Sequence, residues 1–374
     1  MARLLILCEY PTLLGGERSM LATLDAVAAA GFEIHVAAPP AGPLAELLRQ
    51  RGMANFPWRV QDGQGVRQPI ATLRESLTAL LRQADPALLH ANSLSTTRIA
   101  GPVAANCDVP SLGHIRDIVK LSAKAVGDIN AHRRLVAVSH ATRDFHIAQG
   151  IVASKCFVTT NGIDLKAFCP QPPTGFLHRE LRLPPAARFV VTIGQIGLRK
   201  ATDVILSTAG QIADRAPDLH WLIIGERTSV KRESLDFEAS LHALASEPEL
   251  SGRVHFLGSR EDIPAIMREC ALLVHPARQE PLGRVLLEAA ASGLPAVATD
   301  VGGTREIFPT DRSGAVLVPV GDARALAESV LALLCDDAFR EELGKAGRRR
   351  AEEAFDIQQA AARMVEQYQA VRRE

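Results

Sequence analysis

Glu280 and Glu288 stand eight positions apart in the stretch EPLGRVLLE. Pro281 and Gly283 mark a turn, and the good helix formers that follow, residues 284–291, run to the stop signal Ser292-Gly293. The turn therefore opens a helix. Its first backbone amides, near Leu282, Gly283 and Arg284, suit hydroxyls or a phosphate. Glu288 lies about one and a half helical turns further in, on a side chain long enough to reach a second part of the same ligand. The plainer alternative is a solvated loop acid followed by a helix-surface acid.

The elements around this stretch argue for a site. Residues 270–275 form a short apolar run of the kind a buried parallel strand shows, and residues 294–299 repeat it before the loop Asp300-Val301-Gly302-Gly303. In open α/β sheets ligands bind beyond the carboxyl ends of the strands, so Glu280 and Gly302-Gly303 are expected to face one crevice. Two other loops have the same form. Strand 3–8 leads into Gly15-Gly16-Glu17 and a helical pattern over 18–30, where glycines let a ligand approach the backbone. A tight βα turn would use the same glycines. Strand 188–193 leads through Gly194-Gln195 and Gly197 to Arg199 and Lys200. Cations at a helix start oppose the helix dipole, which a bound anion would explain; solvated loop bases are the alternative.

Strand signals at 33–38, 87–90, 111–114, 135–138 and 156–159 alternate with helical patterns such as 70–83 and 96–106, which implies a parallel sheet. Ser139 is a natural helix N-cap. His90 and His114 end strands, where an imidazole either bonds a ligand hydroxyl or caps the strand. Asn161-Gly162 and the prolines between 169 and 187 mark a domain boundary. Beyond it, strands at 219–224 and 254–257 carry loops ending near Glu226 and Ile263. The last helical pattern, 357–373, puts Ala361, Met364, Val365 and Tyr368 on one face.

The 374 residues favour two domains, and 47% hydrophobic with 22% charged residues is an ordinary globular composition. Lysine plus arginine and aspartate plus glutamate both number 42, so there is no general electrostatic case for nucleic acid. Six scattered cysteines without a Cys-x-x-Cys pair read as small buried hydrophobes in a reducing compartment. No stretch reaches the ~18 apolar residues of a membrane span, and the N-terminal run is too short for a signal peptide, so a cytoplasmic protein is expected. Arg116, Lys120, Lys124, Arg133 and Arg134 leave peripheral contact with the cytoplasmic face of a membrane open beside a solvated helix face.

The pattern Glu280 to Glu288 resembles the Glu-x7-Glu signature of the retaining glycosyltransferases of family 4, and residues 161–170 resemble that family's Asn-Gly-x-Asp-x-x-x-Phe-x-Pro hinge. The resemblance implies an α/β protein with two Rossmann-like parallel-sheet domains facing a central cleft, the GT-B fold. Residues 1–168 would form the acceptor-side domain, 169–187 the linker, 188–355 the nucleotide-sugar-binding domain, and 356–374 a final helix packing back on the first domain. The family's diphosphate loop reads Gly-Arg, three spacers, Lys-Gly. Lys200 matches its lysine, whereas Gln195 replaces its arginine, Ala201 its glycine, and Arg199 is the nearest substitute charge. Glu17 follows Gly15-Gly16 directly, where family members carry a spacer.

The resemblance further implies roles. Glu280 would hold the donor sugar, with His114 and Lys200 beside it as the catalytic set. Glu288 would hold the ribose hydroxyls, and the Ile263 region would pack on the base. Gly15, Gly16, Gln195, Arg199, Leu282 and Gly283 would contact sugar and diphosphate. The chain has no Asp-x-Asp pair, P-loop or Gly-x-Gly-x-x-Gly, so a site without metal or cofactor is expected. The donor would be a UDP- or GDP-type sugar, the acceptor a sugar or lipid-linked molecule, with same-face attack assisted by the leaving phosphate. The rivals are a nucleotide-sugar 2-epimerase on the same fold and a non-catalytic nucleotide-sugar-binding module.

Overall fold

Leu4, Ile6 and Cys8 belong to one apolar cluster, while Leu5 and Leu7, alternating with them, belong to another. Such a strand is buried on both faces, as a parallel sheet covered by helices requires. In the computed structural model, which describes residues 1–373, this strand, Ala2–Leu7 (β1), is central in a seven-stranded parallel sheet. The others are Phe32–Ala38 (β2), Ala54–Pro57 (β3), Leu88–Ala91 (β4), Ser111–Ile115 (β5), Arg134–Ala137 (β6) and Cys156–Val158 (β7), in the order β3-β2-β1-β4-β5-β6-β7. Helices Ile70–Ala84 and Leu94–Asn106 cover one face. The other is covered by Gly15–Leu21, Leu24–Ala29 and the final helix Ile357–Arg373, whose Met364, Tyr368 and Val371 enter the core. Burying such side chains contributes about 1.5–3 kcal/mol each.

The second sheet has six parallel strands, Arg188–Ile193 (β8), Leu219–Ile224 (β9), Val254–Phe256 (β10), Leu272–His275 (β11), Ala296–Thr299 (β12) and Ala315–Val318 (β13). Their order is β10-β9-β8-β11-β12-β13. Val190, Trp221, Ile223, Leu272 and Val274 share its main apolar cluster with helix Thr202–Ile212 and helix Ala323–Cys335.

The chain divides into Met1–Gly162 with residues 357–373, and Ile163–Asp356. Gly162 touches the backbone of Ile357 in the first unit, and Ile163 pairs with Asp356 in the second, so the two crossings are sequence neighbours of these contacts. The proline-rich stretch expected as the linker belongs to the second unit. It holds a helix, Phe176–Leu181, because the Glu269 carboxylate accepts from the Thr174 amide at 2.6 Å and the Gly175 amide at 2.9 Å. The helical pattern expected over 18–30 is two helices broken at Ala22-Thr23.

Candidate active site

In the second unit the chain runs outward from β8 through β9 to β10, then returns to pair β11 with the other side of β8. The loops leaving the carboxyl ends of β8 and β11 therefore lie side by side at the point where strand order reverses. The Arg278 amide donates to the Arg199 carbonyl at 2.9 Å, and Arg278 Nη1 donates to the Leu198 carbonyl at 2.8 Å, tying the loops together. Lys200 and Glu280 meet as a consequence: Lys200 Nζ donates to Glu280 Oε2, and His275 Nε2, 2.8 Å away, bonds the same oxygen.

Burial alone would raise the Glu280 carboxyl, but the Lys200 charge, the His275 hydrogen bond and the Arg199 charge outweigh it and hold the group well below the usual carboxylate range. Glu280 is thus an anion at neutral pH. Burial, then the Lys200 charge, lowers His275 against the pull of Glu280, so its imidazole is neutral. A carboxylate only accepts, so His275 carries its proton on Nε2. Arg199 Nη1 lies 3.3 Å from the Gln279 carbonyl and adds its charge to this centre.

Gly283, the N-cap of helix Arg284–Ala291, has φ 101°. A β-carbon there would stand 2.7 Å from Leu286 Cδ1 and 3.3 Å from Glu280 Cγ, so glycine is required by both conformation and space. Gly303 donates its amide to the Glu280 carbonyl at 3.0 Å, and its own β-carbon would lie 2.4 Å from the Pro281 carbonyl oxygen. Leu282 is buried, as is Glu288, whose Oε1 accepts from Arg284 Nε at 2.8 Å.

The first unit has its own reversal, between β1 and β4. His90 lies on β4 opposite Leu112 of β5, which puts His114, two residues on, beside it on the same face. His90 Nε2 is 3.3 Å from His114 Nδ1, and the Tyr368 hydroxyl is 2.8 Å from His90 Nδ1. Arg116 Nη2 is 3.1 Å from His114 Nδ1 and donates to Asn92 Oδ1 at 2.9 Å, while Nη1 donates to Asn161 Oδ1 at 3.1 Å. Burial, then Arg116, pushes His90 down to about 3 and His114 well below the ordinary imidazole value. Burial also raises Glu17, against its backbone hydrogen bonds and the Arg116 charge.

Residues 174–350 match the family described as Glycosyl transferases group 1, and residues 14–167 match Glycosyltransferase Family 4. The chain belongs to this glycosyltransferase family. Among curated proteins it is similar to the lipopolysaccharide core biosynthesis mannosyltransferase LpsB of Rhizobium meliloti, 29% identical over 218 residues, 58% of this chain and 61% of that one. A D-inositol 3-phosphate glycosyltransferase of Xylanimonas cellulosilytica is 29% identical over 292 residues, 72% of this chain and 68% of that protein. The chain spans between about two fifths and two thirds of the length of the curated relatives it matches. Among solved structures, Anabaena HepE in complex with UDP and glucose is similar with a TM-score of 0.86 at 21% identity, over 99% of this chain and 100% of that one. This likeness gives the GT-B fold, with two parallel-sheet domains.

Several expectations for this glycosyltransferase chain need correction. Lys200 is not in the first turn of a helix: it closes the 3-10 turn Leu198–Lys200, and Ala201, at φ 56°, turns the chain before helix Thr202–Ile212 begins. Its cation is explained by Glu280, not by the helix end. Ala201 holds the left-handed conformation that suits the glycine expected at this position. Gly15 and Gly16 are not a loop before a helix but its first two residues. Gln195 is exposed and donates to the Thr228 hydroxyl, and Ile263 is half-buried at the start of helix Ile263–Glu269. Cys335 is exposed and only Cys8 and Cys156 are buried, so the cysteines are not uniformly core residues.

The basic segment 116–134 is no single face. Arg116 is inside the histidine centre, Arg133 pairs with Asp108, and Arg134 lies 3.9 Å over the Phe157 ring. Among the described residues no helix is long and apolar enough to cross a membrane, and no three His, Cys, Asp or Glu side chains gather as a metal site. His275 is the residue that sequence reasoning missed. It ends its strand as His90 and His114 nearly do theirs, five residues before Glu280.

Proposed function

We propose that the protein is a retaining, metal-independent glycosyltransferase that moves a sugar from a UDP- or GDP-type sugar to a sugar or lipid-linked acceptor in glycan, glycolipid or polysaccharide biosynthesis. It works in the cytoplasm, at the membrane face where the acceptor is lipid-linked. The observation that carries this reading is the Lys200–Glu280–His275 cluster at the strand-order reversal of the second sheet. The similarity to LpsB, a mannosyltransferase, and to HepE, solved with UDP-glucose, supports a nucleotide-sugar donor.

Glu280, ionised and fixed by two donors, accepts hydrogen bonds from donor-sugar hydroxyls and is unsuited to act as an acid. Lys200, with Arg199 beside it, offsets the charge that grows on the departing diphosphate as the glycosidic bond breaks. Leu282 and Gly283 bring backbone groups to sugar and diphosphate. Glu288 takes the ribose hydroxyls and Ile263 the base, while His114 donates to a substrate hydroxyl. With no protein nucleophile assigned, the acceptor attacks the face the diphosphate leaves, which retains the anomeric configuration.

Product analysis tests this reading. The protein is incubated in chelator with UDP- and GDP-sugars, alone and with a panel of acceptors. Acceptor-dependent release of nucleoside diphosphate and a product of unchanged anomeric configuration are expected. A free epimer or glycal from donor alone would make the protein a 2-epimerase, and saturable binding without turnover a nucleotide-sugar-binding module.

A further inference from the structure

Three donors and acceptors in the first unit leave only one arrangement of protons. A guanidinium has no lone pair to offer, so His114 Nδ1, 3.1 Å from Arg116 Nη2, must accept and the neutral ring must carry its proton on Nε2. His90 Nε2 faces that same Nδ1 at 3.3 Å, and only a proton on His90 Nε2 makes the contact attractive. His90 Nδ1 is then an acceptor, and the Tyr368 hydroxyl at 2.8 Å is its donor. The chain of bonds runs from Tyr368 through His90 to His114 and ends on His114 Nε2–H, which is buried and has no hydrogen-bond partner among the described residues. A buried N–H of this kind is costly until an oxygen accepts it.

We propose that Tyr368 is a positioning residue for His114: acting through His90, and opposite Arg116, its hydroxyl holds the His114 ring so that it enters the reaction as a neutral Nε2–H donor and not as a proton acceptor. The reaction is the one given under Proposed function, and the inference rests on that reading for its kinetic part. Without the hydroxyl, His90 is free to place its proton on Nδ1. Its Nε2 lone pair would then face the lone pair of His114 Nδ1, and the two rings, stacked with centroids 5.4 Å apart, would part. Tyr368 comes from the last helix, 278 residues from His90 in sequence, so this helix supplies a group to the site as well as closing the core.

Long-range ¹H–¹⁵N correlation spectra of protein labelled in histidine test the arrangement without any substrate. At pH 7 both His90 and His114 are expected as neutral Nε2–H tautomers; a His114 protonated on Nδ1 would overturn the proposal. Tyr368→Phe keeps the ring that packs edge-on against Phe32 at 5.7 Å, and should shift the His90 Nδ1 signal while lowering the melting temperature by only several degrees, leaving the protein folded. Unchanged histidine signals in that variant would also overturn it. With donor and acceptor in hand, Tyr368→Phe should lower kcat/KM about three- to tenfold, the size of one hydrogen bond. That loss should vanish in a His114→Ala background. An equal loss in both backgrounds would make Tyr368 merely structural. Absence of all transfer in the wild type would sink the functional reading alone, since the spectra decide the relay.

Discussion

His114 in the first unit and His275 in the second are both buried at the carboxyl side of a central parallel sheet, and both are held neutral by burial and a neighbouring cation. Their use of the proton is opposite. His275 spends its Nε2–H on Glu280, so it serves a carboxylate already in the protein. His114 meets an arginine and a second imidazole but no carboxylate, so its Nε2–H is left for something else. A histidine near a strand end is therefore not a role. The charge of its neighbours decides whether it supports another side chain or meets a ligand.

Breaking the carboxylate centre should have the largest effect. Lys200→Ala is expected to lower kcat about 10²–10³-fold, by analogy with loss of one preorganised donor. It also leaves Glu280 buried without its cation, which should destabilise the fold by about 3 kcal/mol, the low end for a buried pair because His275 still donates to the carboxylate. Lys200→Ala combined with Glu280→Gln should recover much of that stability and none of the turnover, which separates the two roles in denaturant melts and kinetics. Arg199→Ala is expected to cost less, because Arg199 reaches the Gln279 carbonyl and not the carboxylate.

Glu288→Gln should weaken nucleotide diphosphate and donor alike, by about 1.5–3 kcal/mol for a charge-assisted hydrogen bond. Wild-type affinity in calorimetry would remove Glu288 from the site. Gly303→Ala sharpens the comparison from the backbone side. Its β-carbon would press on the Pro281 carbonyl and displace the loop that carries Glu280, so turnover should fall while the His90 and His114 resonances of the first unit stay in place.

Per group and per pH unit, the smallest effect concerns pH. His90 and His132 are lowered by burial to about 3 and about 4, and His114 also lies well below its usual value. Between those values and about 6.5 the unfolded chain binds protons that the folded chain refuses, so stability rises with pH there and falls as pH drops below about 6.5. Each such histidine contributes a slope approaching about 1.4 kcal/mol per pH unit. Glu280, held low in the fold, adds a loss only below its unfolded value of 4.5. A denaturation midpoint unchanged from pH 7 to pH 5 would show that the histidines are not kept neutral.

Much of this was legible in the chain. The runs that became β1, β8, β11 and β12 are apolar on both faces, and the segments after β8, β11 and β12 carry Lys200, Glu280 and Gly303 because ligand-facing loops follow strands in such sheets, whereas Gly15-Gly16 after β1 already belongs to a helix. The pairing of Lys200 with Glu280 was not legible, since it depends on β11 returning to the side of β8. His275 was hidden inside an apolar run, and only its place five residues before Glu280 marks it. Tyr368 reads as one more apolar position on an amphipathic helix, and its hydroxyl acquires a partner only when that helix packs against β4. Helix Phe176–Leu181 is obscured by prolines and set by the distant Glu269 carboxylate.

The central claim is a nucleotide-diphosphate site whose countercharge is Lys200 and Arg199. Calorimetric titration of UDP, GDP and their sugars into the wild-type protein in the presence of chelator tests it most directly. The account predicts saturable binding of one diphosphate series, one molecule per chain, undiminished by chelator. Binding of none of them, or binding that returns only when a divalent metal is added, would contradict it.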